Sequence, residues 1–266
     1  MTRDFASAIL IQAGAGATVE TTDGVTTMLR IRDLRALHAS LESLEGTLSV
    51  DADLADESAF GKTWIPAVRI QRVGALVIAP PWLVEEIGPA DPAICIVIEP
   101  AMAFGTGDHE TTRGILRLMQ QVISEDDLVA DLGAGSGILS IAAAKLGARG
   151  VAAIEIDPDA IGNLEANVQQ NSVSDRVKVL QGDAAVLLPL VAPVHLVLAN
   201  IVSSVLLQLL PCIRAAITAD GRAVLSGMLL AEHAEMCAAM GAEGTGWSID
   251  AEDVEGEWWS ATTRPR

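Results

Sequence analysis

The chain has 266 residues, of which 50% are hydrophobic, and its formal net charge is −18 at pH 7. A chain of this length and apolarity can bury one large core, or a large core and a small one. The excess of acid repels nucleic acid and anionic membrane surfaces, so we expect neither as a direct partner, whereas a basic protein would be attracted. An acidity that serves only solubility is the alternative.

The remaining global features predict a cytoplasmic protein, which we expect to be a monomer. The first residues lack the basic flank, apolar run and cleavage site of a secretory signal, and the most apolar run, residues 195–217, is interrupted by polar residues and a proline. The cysteines are far apart and form no CxxC motif, which predicts buried free thiols and no bound metal. They are Cys95, Cys212 and Cys237.

Residues 1–57 predict a small α+β domain. In chain order, DFASAILIQAG predicts a helix, ATVETTDGVTTMLRI a hairpin that turns at Asp23 and Gly24, DLRALHASLESL a second helix and GTLSVDA a strand. Residues 58–98 follow as a linker, where prolines interrupt any long helix while ALVIA and ICIVIE look like strands.

Residues 99–266 predict an α/β domain, because apolar runs of strand length alternate with segments of helical period. The strands are DLVADLG, GVAAIEID, RVKVLQ, HLVLANI and GRAVLSGM, and the helices are SGILSIAAAKLG, PDAIGNLEANVQQN, SSVLLQLLPCIRAAI and LAEHAEMCAAMG. Asp157 and Pro158 mark one helix start, and Gly147 marks a helix end. The tail GWSIDAEDVEGEWWSATTR predicts a hairpin that closes the edge of the sheet.

The motif DLGAGSG lies between a predicted strand and a predicted helix. Its glycines leave room for a ligand against the backbone, and the helix start provides free N–H groups. The spacing is not that of the dinucleotide motif GxGxxG, because Ile138 stands where the last glycine would be. The candidate cofactor-binding residues of this motif are Asp131, Gly133, Gly135 and Gly137.

Two more acids follow predicted strands. Glu155 stands at the end of the next strand, where a carboxylate can accept both hydroxyls of a ribose. Asp183 follows the strand after that, where it could either reach an adenine amino group or simply cap a turn. Asp157 is better explained as a helix cap.

These motifs together resemble a known family. DLGAGSG, EID and ANI look like class I S-adenosylmethionine-dependent methyltransferases, and AFGTGDHETTRGILRLM, SGM and GEWWSATTR resemble specifically the family that methylates ribosomal protein L11. The resemblance covers roughly residues 62–266 and implies a Rossmann-like sheet with S-adenosylmethionine as cofactor. In that family the matching positions that line the cofactor pocket are Thr112, Gly133, Glu155 and Asn200.

The segment before the glycine motif then has an expected role. Thr106, Thr111 and Thr112 would lie at a helix entrance, where hydroxyls and backbone N–H groups hold the methionine end of the cofactor. Thr106 could instead be only an N-cap. The candidate catalytic residues are Asn200, whose amide would align a nucleophilic amine, and His109, which either contacts the substrate or caps the turn.

The resemblance implies N-methylation of lysine side chains, of the N-terminal α-amine, or of both, on ribosomal protein L11. It also implies a ferredoxin-like βαββαβ plan for the N-terminal recognition domain, whose first strand is expected to be missing or replaced here. Two alternatives stay open. One is a related methyltransferase of another protein or a small amine, and the other is a catalytically silent cofactor-binding module.

Overall fold

The structure is a computed structural model that describes residues 18–20, 25–27, 69–88, 91–100, 105–241 and 246–266. The chain divides into two compact units, Met1–Val68 with Pro100–Phe104, and Arg69–Glu99 with Gly105–Arg266. In the first unit β1 (Thr18–Glu20) pairs antiparallel with β2 (Val25–Thr27), which confirms the strand pairing predicted for the hairpin. The helices and the further strand predicted in residues 1–57 lie outside the described residues.

A small three-stranded sheet begins the second unit. β3 (Gln71–Val73) turns antiparallel into β4 (Leu76–Ala79), which pairs in parallel with β5 (Ile94–Val97). β4 and β5 are the two runs predicted as strands, whereas β3 has only three residues and no alternating pattern to reveal it. Ile78 and Ile96 are buried in the same core as one face of the large sheet. Residues 69–99 therefore group with the unit that follows them.

The large sheet has seven strands, and the hairpin completes one edge. The strands are β6 (Leu128–Leu132), β7 (Gly150–Glu155), β8 (Val177–Gln181), β9 (Val194–Asn200), β10 (Ile217–Leu229), β11 (Trp247–Glu255) and β12 (Trp258–Pro265). Their spatial order is β11, β12, β10, β9, β6, β7, β8. The last five are parallel, and β12 pairs antiparallel with both β10 and β11. The predicted α/β class is confirmed.

Helices cover both faces of this sheet. They are α1 (Glu110–Val122), α2 (Ile138–Lys145), α3 (Pro158–Gln170), α4 (Ala184–Val191), α5 (Ser203–Ala216) and α6 (His233–Gly241), with short 3-10 helices at Pro81–Glu86 and Leu230–Glu232. Buried side chains of α1, α2 and α3 share one core with the small sheet, and those of α4, α5 and α6 form a second core. The large sheet thus contributes alternate side chains to two cores.

The sequence did not predict α4. Its residues AAVLLPLV are apolar on every side and include Pro189, so no helical period distinguishes them from a strand or a loop. Only Leu188 is buried, while Val186 and Leu190 are 62% and 76% exposed.

Local signals placed other elements correctly. Asp157 caps α3 by accepting the Asp159 N–H, with Pro158 in the first turn, and Gly147 follows α2 with a φ of 115°. Each cysteine is a free thiol that is partly rather than fully buried. Within the described part of the chain, no helix combines the length and apolarity needed to cross a membrane.

Candidate active site

The candidate site lies at the carboxyl ends of β6 and β9. These neighbouring parallel strands continue into helices on opposite faces of the sheet, α2 after β6 and α5 after β9. Such a reversal leaves a crevice outside the strand ends, where open α/β sheets bind ligands. Asp131 of β6 and Asn200 of β9 both belong to the face covered by α1, because Val129 and Leu198, two residues earlier, are in that core.

The glycine loop after β6 depends on its glycines for conformation and for space. Gly133, Gly135 and Gly137 all have positive φ, at 69°, 53° and 85°. A Cβ on Gly137 would lie 2.4 Å from Cδ1 of Leu164, and one on Gly133 would lie 2.7 Å from Cγ2 of Ile201. Gly133 is exposed, so the backbone of the loop can lie directly against a ligand.

The Glu155 carboxylate is held in place by backbone donors. Its Oε2 accepts the Gly135 N–H at 2.8 Å, and its Oε1 accepts the Asp157 N–H at 2.8 Å. The side chain is only 7% exposed, and each oxygen keeps a second lone-pair site that could accept a ribose hydroxyl. The next residue, Ile156, is 65% exposed and offers an apolar surface to a flat base. The sequence analysis did not predict this role, although Ile156 directly follows Glu155 in the sequence.

Asp131 lies below the glycine loop with no solvent exposure. The Ser140 hydroxyl donates to its Oδ2 at 2.6 Å, and its Oδ1 has no hydrogen-bond partner among the described residues. Burial raises the pKa of this carboxyl to about 7, with a smaller contribution from the charge of Glu155 and opposition from the Ser140 bond. An unpartnered buried carboxylate oxygen suits a charged donor such as the ammonium group of an amino acid.

His109 and the threonines form the start of α1. His109 is the N-cap, where its Nδ1 accepts the Thr111 N–H at 3.3 Å and lies 2.8 Å from the Thr111 hydroxyl. Its ring also packs against the ring of Trp258 in a T-shaped arrangement, with centroids 4.9 Å apart. The structure therefore gives His109 the capping role. Thr106 does not cap α1 and instead donates to the Asp108 carboxylate.

Asn200 and Thr112 meet across the crevice. The Asn200 Nδ2 donates to the Thr112 hydroxyl at 3.4 Å, although the two residues are 88 positions apart. Thr112 is fully buried and Asn200 is partly exposed. The contact leaves the Asn200 Oδ1 to accept a hydrogen bond from a bound molecule.

Asp183 takes the simpler of its two alternatives. It is the N-cap of α4, and its Oδ1 accepts the Ala185 N–H at 2.8 Å. The side chain is exposed. A capping bond to one oxygen does not prevent the other from meeting a ligand, so a contact with adenine stays a proposal.

Two polar residues that the sequence did not reveal connect the loops of the site. The Ser136 hydroxyl, inside the glycine motif, donates to the Gly105 carbonyl at 2.6 Å. The Asn167 amide donates to the Ser136 carbonyl and accepts the Glu99 N–H, each at 2.9 Å. Both residues are buried, so these bonds are strong constraints on the loop before α1. The sequence signal that could have revealed Asn167 is a polar residue on the apolar face of the predicted helix α3.

Ion pairs join the start of α1 to the C-terminal hairpin. Arg113 contacts Glu255 at 2.6 Å and also donates to the Asp108 carbonyl. Arg117 pairs with both Asp253 and Glu255. Although burial opposes it, hydrogen bonding from the two arginines lowers the pKa of Glu255. The hairpin thereby restrains α1, whose first turn carries Thr111 and Thr112, and the end of the loop before it.

The donors and acceptors present fit S-adenosylmethionine. Glu155 suits the ribose, Asp131 suits the ammonium group, and the first turn of α1 suits the carboxylate of the methionine end. Among the residues that the structure describes, no group of His, Cys, Asp and Glu side chains is arranged to hold a metal.

The fold is that of a class I S-adenosylmethionine-dependent methyltransferase, in which a parallel sheet ends in an antiparallel hairpin and a glycine loop follows β6, the first strand of that sheet in chain order. Within that class, the sequence model described as ribosomal protein L11 methyltransferase (PrmA) matches residues 10–265. The chain belongs to this family.

Individual relatives agree with this membership. A ribosomal protein L11 methyltransferase of Desulfitobacterium hafniense is 36% identical over 217 residues, covering 79% of this chain and 68% of the relative. One of Clostridium perfringens is 32% identical over 231 residues, covering 86% of this chain and 70% of the relative. The crystal structure of the ribosomal protein L11 methylase of Lactobacillus delbrueckii subsp. bulgaricus superposes with a TM-score of 0.66 at 28% identity, covering 75% of this chain and all of that one.

Proposed function

We propose that this protein transfers methyl groups from S-adenosylmethionine to amino groups of ribosomal protein L11, on lysine side chains, on the N-terminal α-amine, or on both. The relatives at 32% and 36% identity carry that substrate in their names. The observation that most supports the chemistry is the contact between Asn200 and Thr112, because it orients the Asn200 amide at the carboxyl end of β9.

In this proposal the cofactor is held by groups that are already oriented. Glu155 accepts hydrogen bonds from the ribose, and the glycine loop provides space beside it. Asp131 accepts from the ammonium group, and Thr106, Thr111 and Thr112 receive the carboxylate end. When bound, S-adenosylmethionine supplies a methyl group on a sulfonium, which is already activated for displacement.

Asn200 is the proposed catalytic residue. Its Nδ2 is engaged by Thr112, so its Oδ1 accepts an N–H of the incoming amine and directs the lone pair of the nitrogen. The amine must be neutral to attack. Removing a lysine side chain from water lowers its pKa, and we propose that its proton passes to solvent before attack. His109 lies at the same helix start and is proposed as a substrate contact in addition to its capping role.

The charge of the chain suits a basic protein substrate. The net charge of −18 attracts a basic surface over long range, and the exposed Asp108 stands beside Thr106 in the loop before α1. We also propose that residues 1–57 recognise the substrate, that residues 99–266 carry out the reaction, and that the protein acts as a monomer in the cytoplasm.

A labelling experiment tests this function. An extract of cells that lack the protein is incubated with purified enzyme and S-adenosylmethionine labelled in its methyl group, and the products are identified by mass spectrometry. Methylated ribosomal protein L11 is expected, with the rate of labelling strongly reduced when Asn200→Ala replaces the parent. Label in another protein or in a small amine would support the alternative substrate, and no labelled product at all would contradict the proposal.

A further inference from the structure

Two buried serines lie beneath the first turn of α1. The Ser226 hydroxyl, with no exposed surface, donates to the Thr111 carbonyl at 3.0 Å and lies 2.7 Å from the Ser260 hydroxyl. Each hydroxyl has one proton. Because the Ser226 hydroxyl donates its proton to the Thr111 carbonyl, the Ser260 hydroxyl must donate to the Ser226 oxygen. The two hydrogen bonds therefore form a chain from Ser260 through Ser226 to the backbone of α1.

The backbone of Ser226 also holds the strand that carries Asn200. Ser226 is level with Asn200 in the parallel pair of β10 and β9, and its carbonyl accepts the Ile201 N–H at 3.1 Å. The pairing of β10 with β12 shifts between Leu225 and Met228, next to this point, as in a β-bulge. One residue therefore bonds to both the strand of Asn200 and the helix of Thr112.

Glycines permit this close arrangement on both sides. Gly227 has a φ of 84°, and a Cβ there would lie 2.5 Å from the Ile201 carbonyl oxygen. A Cβ on Gly114 of α1 would lie 2.6 Å from the Ser260 hydroxyl. The helix and the strand end can thus approach the serine pair without an intervening side chain.

We propose that Ser226 is a positioning residue for methyl transfer, which fixes the start of α1 against the end of β9. This inference rests on the role proposed for Asn200. The bond from Asn200 to Thr112 is long at 3.4 Å, so a small displacement of α1 breaks it and releases the amide. Transfer to an amine depends on the placement of the reacting atoms, so the loss of this alignment lowers turnover.

The test is a cycle in the full chain with Ser226→Ala, Asn200→Ala and the double variant. Turnover is measured at saturating cofactor and protein substrate. Ser226→Ala is expected to lower kcat about tenfold and to leave KM for the protein substrate within about twofold. In the Asn200→Ala background the same change should lower kcat by less than about twofold, because nothing remains to be positioned.

Thr263→Val is the matched control. The Thr263 hydroxyl is also buried in the pair of β10 and β12, where it donates to the Ala223 carbonyl at 3.3 Å. Ala223 precedes Ser226 by three residues on β10, and this bond involves neither α1 nor the end of β9. Its loss should leave kcat within about twofold. If Ser226→Ala does not fold, the double variant Ser226→Ala with Ser260→Ala replaces it in the cycle. Removing both hydroxyls avoids leaving the buried Ser260 hydroxyl without its Ser226 partner.

The outcomes separate the two proposals. If Asn200→Ala strongly lowers turnover while Ser226→Ala keeps it within about twofold, Ser226 is not a positioning residue and the role of Asn200 stands. A Ser226→Ala effect of equal size in both backgrounds also overturns the inference, because Ser226 would then act independently of Asn200. If Asn200→Ala itself retains full turnover, the role of Asn200 is wrong and the inference is lost with it.

Discussion

Glu155 accepts the backbone N–H of Gly135 at 2.8 Å, and this bond joins the end of β7 to the centre of the glycine loop. A second bond, from the Asp157 N–H at 2.8 Å, holds the other oxygen. Burying a carboxylate is unfavourable unless donors compensate it, and here both donors belong to the backbone. The carboxylate is therefore oriented before any cofactor arrives.

Glu155→Ala should weaken the binding of S-adenosylmethionine by about 1 to 3 kcal/mol, the scale of hydrogen bonds to a charged group. Isothermal titration calorimetry provides the dissociation constants. Glu165→Ala is the matched control, because Glu165 is an exposed acid on α3. An unchanged dissociation constant for Glu155→Ala would remove Glu155 from the cofactor site.

Two glycines with different surroundings should respond oppositely to alanine. At Gly137, with a φ of 85° and Leu164 in the way, alanine should lower the free energy of unfolding by about 1 to 3 kcal/mol. At Gly162, inside α3, a new Cβ would come within 4 Å of nothing beyond its chain neighbours and its own helix backbone, so alanine should raise it by about 0.5 to 1 kcal/mol. Urea denaturation measures both, and equal effects would contradict the explanation.

Asp131 should make the stability of the cofactor-free protein depend on pH. Because its pKa in the folded state is raised from 3.8 to about 7, the carboxyl group stays protonated to a higher pH in the folded chain than in the unfolded chain. The contribution of Asp131 to the free energy of unfolding is fully present below about pH 4 and is lost as the pH rises through about 7. This contribution is on the order of a few kcal/mol.

Asp131→Asn removes that dependence, since asparagine does not titrate. Denaturation at pH 5 and pH 8 should show that the variant gains stability relative to the parent at the higher pH. A difference between parent and variant that is the same at both values would show that the carboxyl titrates normally.

The proposed division of labour predicts the effect of removing the N-terminal residues. The candidate cofactor residues all lie after residue 105. Among the described residues, one core of the second unit begins at Val73 and the other at Ala130. A chain that begins at Ser58 should therefore bind S-adenosylmethionine with about the parent affinity and lose most methylation of ribosomal protein L11. Methylation of the protein substrate at the parent rate would place recognition in the remaining residues.

The sequence by itself determined most elements of the large sheet. Alternating apolar runs and helical periods are local properties, so they revealed β6 to β10, most helices and the hairpin. The sequence also predicted the helix cap at Asp157 and the helix end at Gly147, because a cap and a left-handed turn restrict the residue types at one position. The apolar α4, which carries Pro189 and no periodic pattern, had no such local signal.

Only the tertiary structure decided which side chains meet. The sequence left His109 as either a substrate contact or a cap, and Asp183 as either an adenine contact or a cap. The structure shows that each residue forms a capping hydrogen bond at a helix start. It also brought Ser226 to Thr111, 115 positions away, and Arg113 to Glu255, 142 positions away. Such contacts depend on the register between strands and on how a helix packs across them, and neither is encoded in the residues near either partner.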